Sequence, residues 1–144
     1  MERNIGRFRL LLALSVAGLL FAGYLSSVRF FSDVCAFNEP CPYFLGYPAC
    51  YYGFVMFFIM TAAMLSHFAL GAASERVLRI MLTVSGVGVL FAGYFTLVEL
   101  PRLFAGGISF YLLGLPTCAY GLIVYIAIFA IALAARARAA SGVE

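Results

Sequence analysis

Apolar residues occupy four long stretches without a charged side chain, and this pattern predicts helices that cross a membrane. The stretches are Leu10–Val28, Pro40–Ser74, Ile80–Val98 and Leu103–Ala135, with lengths of 19, 35, 19 and 33 residues. A helix needs about 20 apolar residues to cross the roughly 30 Å hydrocarbon core of a bilayer. The first and third stretches therefore predict one span each, whereas the second and fourth contain more apolar residues than one span needs.

A Gly-x-Pro motif lies within each of the two longer stretches, at Gly46-Tyr47-Pro48 and at Gly114-Leu115-Pro116. Proline fits the first helical position, where no N–H is needed, and it disfavours helix in the residue before it. We therefore expect the second and fourth helices to be Pro48–Gly71 and Pro116–Ala135. The preceding apolar residues are interpreted as loop or interfacial segments: Cys41–Tyr47 and Ser109–Leu115.

Short sequences from the first half of the chain return in the second half. Leu20-Phe21-Ala22-Gly23-Tyr24 recurs unchanged 70 residues later, and the pattern from Gly46 to Gly53 recurs 68 residues later. The repeat predicts an all-α integral membrane protein, a four-helix bundle built from a duplicated two-helix hairpin with pseudo-twofold symmetry. Repeat 1 then covers about residues 10–71 and repeat 2 about residues 80–135 of a single membrane domain, 1–144.

The composition excludes a water-soluble domain. The chain is 65% hydrophobic and only 10% charged, whereas a soluble surface needs roughly a quarter or more of charged positions. Seven of the nine arginines fall in the N-terminal arm, the middle loop and the C-terminal tail. By the positive-inside rule, both termini lie in the cytoplasm and the other loops lie outside it, in a plasma or inner membrane. The net charge of +3 thus reports topology, and no nucleic-acid partner is predicted.

Asp, Glu, Lys and Arg are absent from the predicted spans, so a proton or ion pathway lacks its usual groups. Glu99 and Arg102 flank Pro101 just outside the third predicted helix. We expect both charged side chains to remain solvated, because exposed charges gain little free energy from pairing.

All four cysteines, Cys35, Cys41, Cys50 and Cys118, fall on the predicted extracytoplasmic side, where disulfides persist. Four thiols allow three complete pairings, which the sequence alone leaves open. The repeat favours one of them, because Cys50 and Cys118 are equivalent positions and the other two belong to the first loop alone. The favoured pairs are Cys35 with Cys41 and Cys50 with Cys118.

The setting of Cys50 and Cys118 favours reactive thiols. With Pro48 and Pro116 at the first helical position, both cysteines are third in their helices. Unpaired N–H groups and the helix dipole favour a thiolate there, whereas burial in apolar surroundings opposes it. Two facing sulfurs are compatible with a disulfide, a dithiol redox pair or a soft-metal site, and equally with small buried side chains that only pack.

A row of methionines lies in the second predicted helix. Met56, Met60 and Met64 are four residues apart, and His67 lies close to the same face. Thioether sulfurs suit Cu(I), but the second repeat has no methionine at the matching positions, and methionine commonly fills gaps in a core. We interpret the row as packing, and no metal is predicted.

The chain resembles the vitamin K epoxide reductase family and related membrane disulfide-forming enzymes. The shared features are a four-helix membrane bundle, a cysteine pair in the first outer loop (Cys35, Cys41), the Gly46-Tyr47-Pro48 start of helix two, and Cys118 at the mouth of helix four. The family has Cys-x-x-Cys in that last place, whereas here Gly121 takes the position of the second cysteine.

The resemblance implies a chemistry in which electrons pass from a loop dithiol to a membrane-embedded pair and then to a quinone. It implies Cys35 and Cys41 as the outer pair and Cys50 and Cys118 as the inner pair. It also implies a periplasmic or extracellular thiol protein as a partner, beside the lipid bilayer. The alternative is a non-catalytic membrane protein, an assembly subunit or a small apolar-ligand binder, whose cysteines are structural.

Overall fold

The structure is a computed structural model that describes residues 2–36, 42–107 and 115–142. Its elements in chain order are α1 (Glu2–Ser32), β1 (Tyr43–Phe44), β2 (Tyr47–Pro48), α2 (Ala49–Leu70), α3 (Ser74–Gly106) and α4 (Thr117–Ala140). Within these ranges, four helices are long and apolar enough to cross a membrane. The prediction of an all-α, four-helix integral membrane protein is therefore confirmed at the level of its helices.

The four helices follow one another around the bundle in chain order. The most extensive contacts are between α3 and α4 and between α1 and α2, and smaller contacts join α2 to α3 and α1 to α4. The outward faces are apolar, as the exposed fractions of Leu20 (70%) and Leu90 (76%) illustrate. Contiguous apolar surface of this kind is typical of a lipid-facing bundle. The most deeply buried core side chains are Leu11, Met60, Met64, Met81, Ile128 and Ala132.

The helix boundaries differ from those predicted. Pro48 and Pro116 have extended backbone angles and precede the helices as N-cap residues, so α2 and α4 begin one residue later than expected. Helices α1 and α3 contain 31 and 33 residues and extend well beyond the charge-free stretches. The reason is that glutamate and arginine are good helix formers, so a charge ends an apolar run without ending the helix.

The prediction that Glu99 lies outside the third helix and is solvated is wrong. Helix α3 continues through Pro101 to Gly106, and Glu99 is only 5% exposed, whereas Arg102 is exposed. Glu99 follows the buried Phe95 by four residues and so lies on the same inward face of the helix. The third candidate span thus contains a buried carboxyl group that the apolar pattern did not predict.

A cluster of three arginines lies at the end of the bundle where α1 and α3 begin and α4 ends, called here the arginine end. The Arg79 and Arg136 guanidinium groups lie 3.5 Å and 3.6 Å from the Glu75 carboxylate, and Arg7 donates a hydrogen bond of 3.4 Å to the carbonyl of Ala134. These contacts join the beginnings of α1 and α3 to the end of α4. The three arginine-rich segments of the sequence therefore meet at one end of the bundle.

An aromatic pair occupies the centre of the bundle. The rings of Phe57 in α2 and Tyr125 in α4 are stacked, with centroids 4.5 Å apart and an interplanar angle of 11°. Glycines make room for both rings, because a Cβ atom would lie 2.2 Å from the Phe57 ring if added at Gly18 and 2.5 Å from the Tyr125 ring if added at Gly88. The aromatic pair (Phe57 and Tyr125) is thus clamped between two helices that approach it closely.

Replacing Gly88 with Ala is expected to destabilise the bundle by about 1–3 kcal/mol, the usual cost of overpacking. The added methyl group overlaps the Tyr125 ring, which cannot retreat because it is stacked on Phe57. Gly86→Ala on the same helix is the control, since its Cβ meets the Phe129 ring at an ordinary 3.5 Å. Equal unfolding midpoints for the two variants in detergent would contradict the clamped arrangement.

Candidate active site: a cavity lined by cysteines

A cavity of about 90 Å³ lies at the end of the bundle opposite the cluster of Arg7, Arg79 and Arg136. Cys35, Cys50 and Cys118 all contribute to its wall, and most of the remaining wall is apolar. Pockets that enclose a whole drug-sized ligand measure about 300 Å³ or more. This cavity therefore has room for a small ring or an ion and is far too small for a peptide segment.

The cavity exists because of a layer of glycines. Cys50 precedes Phe57 by seven residues and Cys118 precedes Tyr125 by seven, and seven residues are about two helical turns. Each cysteine thus lies on the same helix face as one member of the aromatic pair. Gly53 and Gly121 lie between the two layers, and a Cβ atom added at either glycine meets nothing closer than 3.9 Å. The missing side chains leave the space that the cysteines face.

The aromatic pair forms the floor of this space. The Tyr125 hydroxyl donates a hydrogen bond of 3.4 Å to the carbonyl oxygen of Gly53, and both ring side chains line the cavity. Tyr125 is equivalent to Phe57 at the repeat offset of 68 residues, so the hydroxyl is a polar group found in only one copy. Tyr125 was not among the predicted site residues, although this Phe-to-Tyr difference between the repeats is visible in the sequence.

The cysteines are present in two oxidation states. Cys35 is disulfide-bonded, whereas Cys50 and Cys118 are reduced thiols. Cys41 lies outside the described residues, so its pairing with Cys35 stays a prediction. The favoured bond between Cys50 and Cys118 is not formed, and the structure instead places the two thiols on the wall of one cavity.

Cys50 and Cys118 are second in their helices, one position earlier than predicted, because Pro48 and Pro116 are caps. They nevertheless remain within the first turn, where backbone N–H groups have no partner inside the helix. The Ser26 hydroxyl donates a hydrogen bond of 3.2 Å to the carbonyl oxygen of Cys50, and this bond joins α1 to the beginning of α2.

A small β-hairpin covers one side of the cavity where the sequence predicted a loop or interfacial segment. Strands β1 and β2 are antiparallel and are joined by Leu45 and Gly46, both with positive φ, as a type I′ turn requires. Pro42 and Pro48, at either end of the hairpin, line the cavity. The equivalent segment of the second repeat lies largely outside the described residues.

An aromatic cluster fastens the hairpin to the bundle. The Phe44 ring lies 5.5 Å from the rings of both Tyr52 and Phe91, and 6.4 Å from that of Phe95. The Tyr52 hydroxyl also donates a hydrogen bond of 2.9 Å to the Phe44 carbonyl. Edge-to-face contacts of this kind add to the free energy of area burial, so the hairpin is held against α2 and α3 by several independent contacts.

The three methionines of the row lie in two different surroundings. Met60 and Met64 are fully buried in the core, whereas Met56 is partly buried and lines the cavity. Across the residues that the structure describes, no three His, Cys, Asp or Glu side chains form a group able to hold a metal ion. Within that part of the chain, the cavity is instead lined by four sulfur-containing residues, Cys35, Cys50, Met56 and Cys118.

Comparison with other proteins leaves the chemistry of this cavity as the basis for inferring function. No protein-family model matches the sequence, and no significant similarity to a curated protein or to a solved structure is found. The function is therefore inferred from the residues that line the cavity and from the oxidation states of its cysteines.

Filling the glycine layer is expected to shield the thiols. Gly121→Val adds an isopropyl group at a position where a Cβ atom meets nothing within 4 Å, so it should keep the fold and slow the alkylation of Cys50 and Cys118 by N-ethylmaleimide severalfold. Ala130→Val, on the exposed side of the same helix, adds two methyl groups away from the cavity and should leave the rate unchanged. Equal rates in the two variants would show that reagents reach the thiols by another route.

Proposed function

We propose that this chain is a membrane thiol–disulfide oxidoreductase, with Cys35 and Cys41 as the outer pair and Cys50 and Cys118 as the inner pair. The observation that carries the proposal is the meeting of a disulfide-bonded cysteine with two reduced thiols on the wall of one cavity. Thiol–disulfide exchange requires a thiolate that reaches a disulfide sulfur. The cavity contains both reactants of that step.

Thiol–disulfide exchange between the inner and outer pairs requires no further oxidant or reductant. An inner thiolate attacks the loop disulfide, forms a mixed disulfide and releases a loop thiolate. The second inner thiol then attacks the mixed disulfide, which leaves a Cys50–Cys118 disulfide and a loop dithiol. Two electrons and two protons have moved from the inner pair to the outer pair. In turnover the direction is reversed, because a partner thiol protein reduces the outer pair and the inner pair passes the electrons on.

A quinone is the proposed final acceptor. The apolar wall and the aromatic pair suit a flat apolar ring. The Tyr125 hydroxyl at the floor would donate to a quinone carbonyl oxygen by giving up its long hydrogen bond to the Gly53 carbonyl. A bound quinone supplies an acceptor for the two electrons and two protons of the inner dithiol. The protein's own part is to exclude water, hold the ring beside the thiols and orient its oxygen.

The resemblance to the vitamin K epoxide reductase family remains part of this proposal. Gly121 stands where that family has its second helix-four cysteine, so Cys50 has to act as the partner of Cys118. The placement of Cys50 and Cys118 at matching positions of α2 and α4, around one cavity, supports this rerouted pair.

The proposal also includes the duplicated hairpin. Equivalent residues make equivalent contacts, since the Ser15 hydroxyl donates to the Leu11 carbonyl at 2.8 Å and the Ser85 hydroxyl to the Met81 carbonyl at 2.5 Å. Gly18 and Gly88, 70 residues apart, accommodate the two rings of the aromatic pair in the same way. These pairs support a pseudo-twofold relation between the two halves.

The proposed topology follows from the two ends of the bundle. The arginine end faces the cytoplasm by the positive-inside rule, and the cysteine end faces the periplasm or the cell exterior. That side permits disulfides to persist. The partner is accordingly a periplasmic or extracellular thiol protein, which meets the outer pair at the membrane surface.

A second function has one observation in its favour. The cavity is small and almost wholly apolar, as in a protein that binds a small apolar ligand without chemistry. In that case the cysteines are structural and their oxidation states stay constant. The two functions therefore differ in whether Cys50 and Cys118 change oxidation state.

Mapping the cysteine oxidation states tests the proposal. Blocking the free thiols of the purified protein, digesting it without reduction and identifying linked peptides by mass should show a Cys50–Cys118 bond that forms with added quinone and opens with a dithiol donor. Cys118→Ser should abolish this cycle, because no resolving thiol remains to form the inner bond. Thiols that stay reduced, or a bond that stays closed, under both additions would refute the oxidoreductase function and favour the apolar-ligand binder.

A further inference from the structure

We propose that Cys50, Cys118 and Met56 form a binding site for a soft monovalent metal ion, Cu(I). The three side chains come from two helices, and all of them line the same cavity. Of the methionine row only Met56 belongs to this site, because Met60 and Met64 are buried in the core and do not line the cavity. It requires no property of the proposed oxidoreductase.

The donor atoms determine which metal fits. Two thiolates and one thioether are soft ligands, which select Cu(I) over the hard cations that carboxylates and carbonyls bind. No carboxylate or imidazole is found among the described residues that line the cavity. Structural zinc sites generally need four nitrogen or sulfur ligands, whereas a three-sulfur set satisfies Cu(I). The cavity volume of about 90 Å³ also accommodates an ion without displacing side chains.

The two helix N-termini offset part of the cost of burying charge at this site. Both cysteines lie in the first turn of a helix, where the dipole stabilises a thiolate. Binding of Cu(I) replaces the two thiol protons, which are released to solvent, so no electron is transferred. The complex carries one net negative charge between two helix N-termini, and the apolar wall shields it from water.

The site is asymmetric between the two halves of the chain. Met56 is equivalent to Val124 at the offset of 68 residues, so only α2 supplies a thioether. The repeat therefore provides the two thiolates, and a single substitution in one copy provides the third ligand. Metal binding and a Cys50–Cys118 disulfide exclude each other, because both use the same two sulfur atoms.

Competition with bicinchoninate under reducing conditions tests this site. The background variant is Cys35→Ser with Cys41→Ser, which leaves two thiols in the chain and prevents exchange with the loop. We expect one Cu(I) per chain. We also expect Met56→Leu to weaken binding at least about tenfold, because even the loss of a residue that only supports a metal ligand weakens metal binding by about 10- to 100-fold. Met60→Leu, one turn further along α2 and outside the cavity, should leave the affinity unchanged.

Each alternative outcome overturns the proposal. Absence of stoichiometric Cu(I) binding by the two-thiol protein would show that the cavity is not a metal site. Equal affinities for Met56→Leu and Met60→Leu would exclude the thioether ligand. Both substitutions nearly conserve volume, so the variants should fold. Because the loop cysteines and the quinone are absent from this assay, its result is independent of whether the oxidoreductase proposal holds.

Discussion

The stacked rings of Phe57 and Tyr125 are the contact on which the rest of the structure depends. They join α2 to α4 across the bundle, although these two helices otherwise make few contacts. Gly18 and Gly88 permit that contact, because any side chain there would occupy the space of a ring. In a membrane, apolar side chains gain nothing by leaving lipid, so close packing of this kind is a main source of helix association. The aromatic pair thus sets the spacing of the four helices.

The cavity is a consequence of the same contact. The two rings hold the helices apart. Gly53 and Gly121, about one turn away, have no side chains to fill the resulting gap, so a space remains beneath the cysteines. The hairpin and its aromatic cluster cover this space from one side. Three of the four cysteines of the chain thus lie on the wall of this space. Both proposals, electron exchange and Cu(I) binding, use the sulfur atoms gathered there.

Much of the architecture could be predicted from the sequence, because span length and proline position are local properties. The four spans followed from charge-free runs, and the start of α2 was predicted to within one residue of Ala49. The burial of Glu99 could not be predicted, since it depends on which face of α3 turns inward after Val98. The hairpin was missed because Leu45, a residue that rarely adopts positive φ, occupies its turn.

The candidate site was predicted only in part. The four cysteines were singled out, and the structure brings Cys35, Cys50 and Cys118 to one cavity, but nothing in the sequence indicates that Met56 and Tyr125 share it. Those two residues differ from their equivalents in the other repeat, so the site is formed where the repeat departs from symmetry. A comparison of the two copies finds such departures, but only the fold shows which of them face a cavity.

Both proposals require Cys50 and Cys118, which line one cavity, to approach each other within a single chain. The most direct test oxidises the Cys35→Ser, Cys41→Ser protein with diamide in detergent and analyses it by non-reducing electrophoresis and peptide mass. We expect a monomeric product that contains a peptide pair linked through Cys50 and Cys118, because both cysteines line one cavity. Such a bond forms only if the two Cα atoms come within about 7 Å. Products linked only between chains, or two thiols that stay reduced, would contradict the facing arrangement.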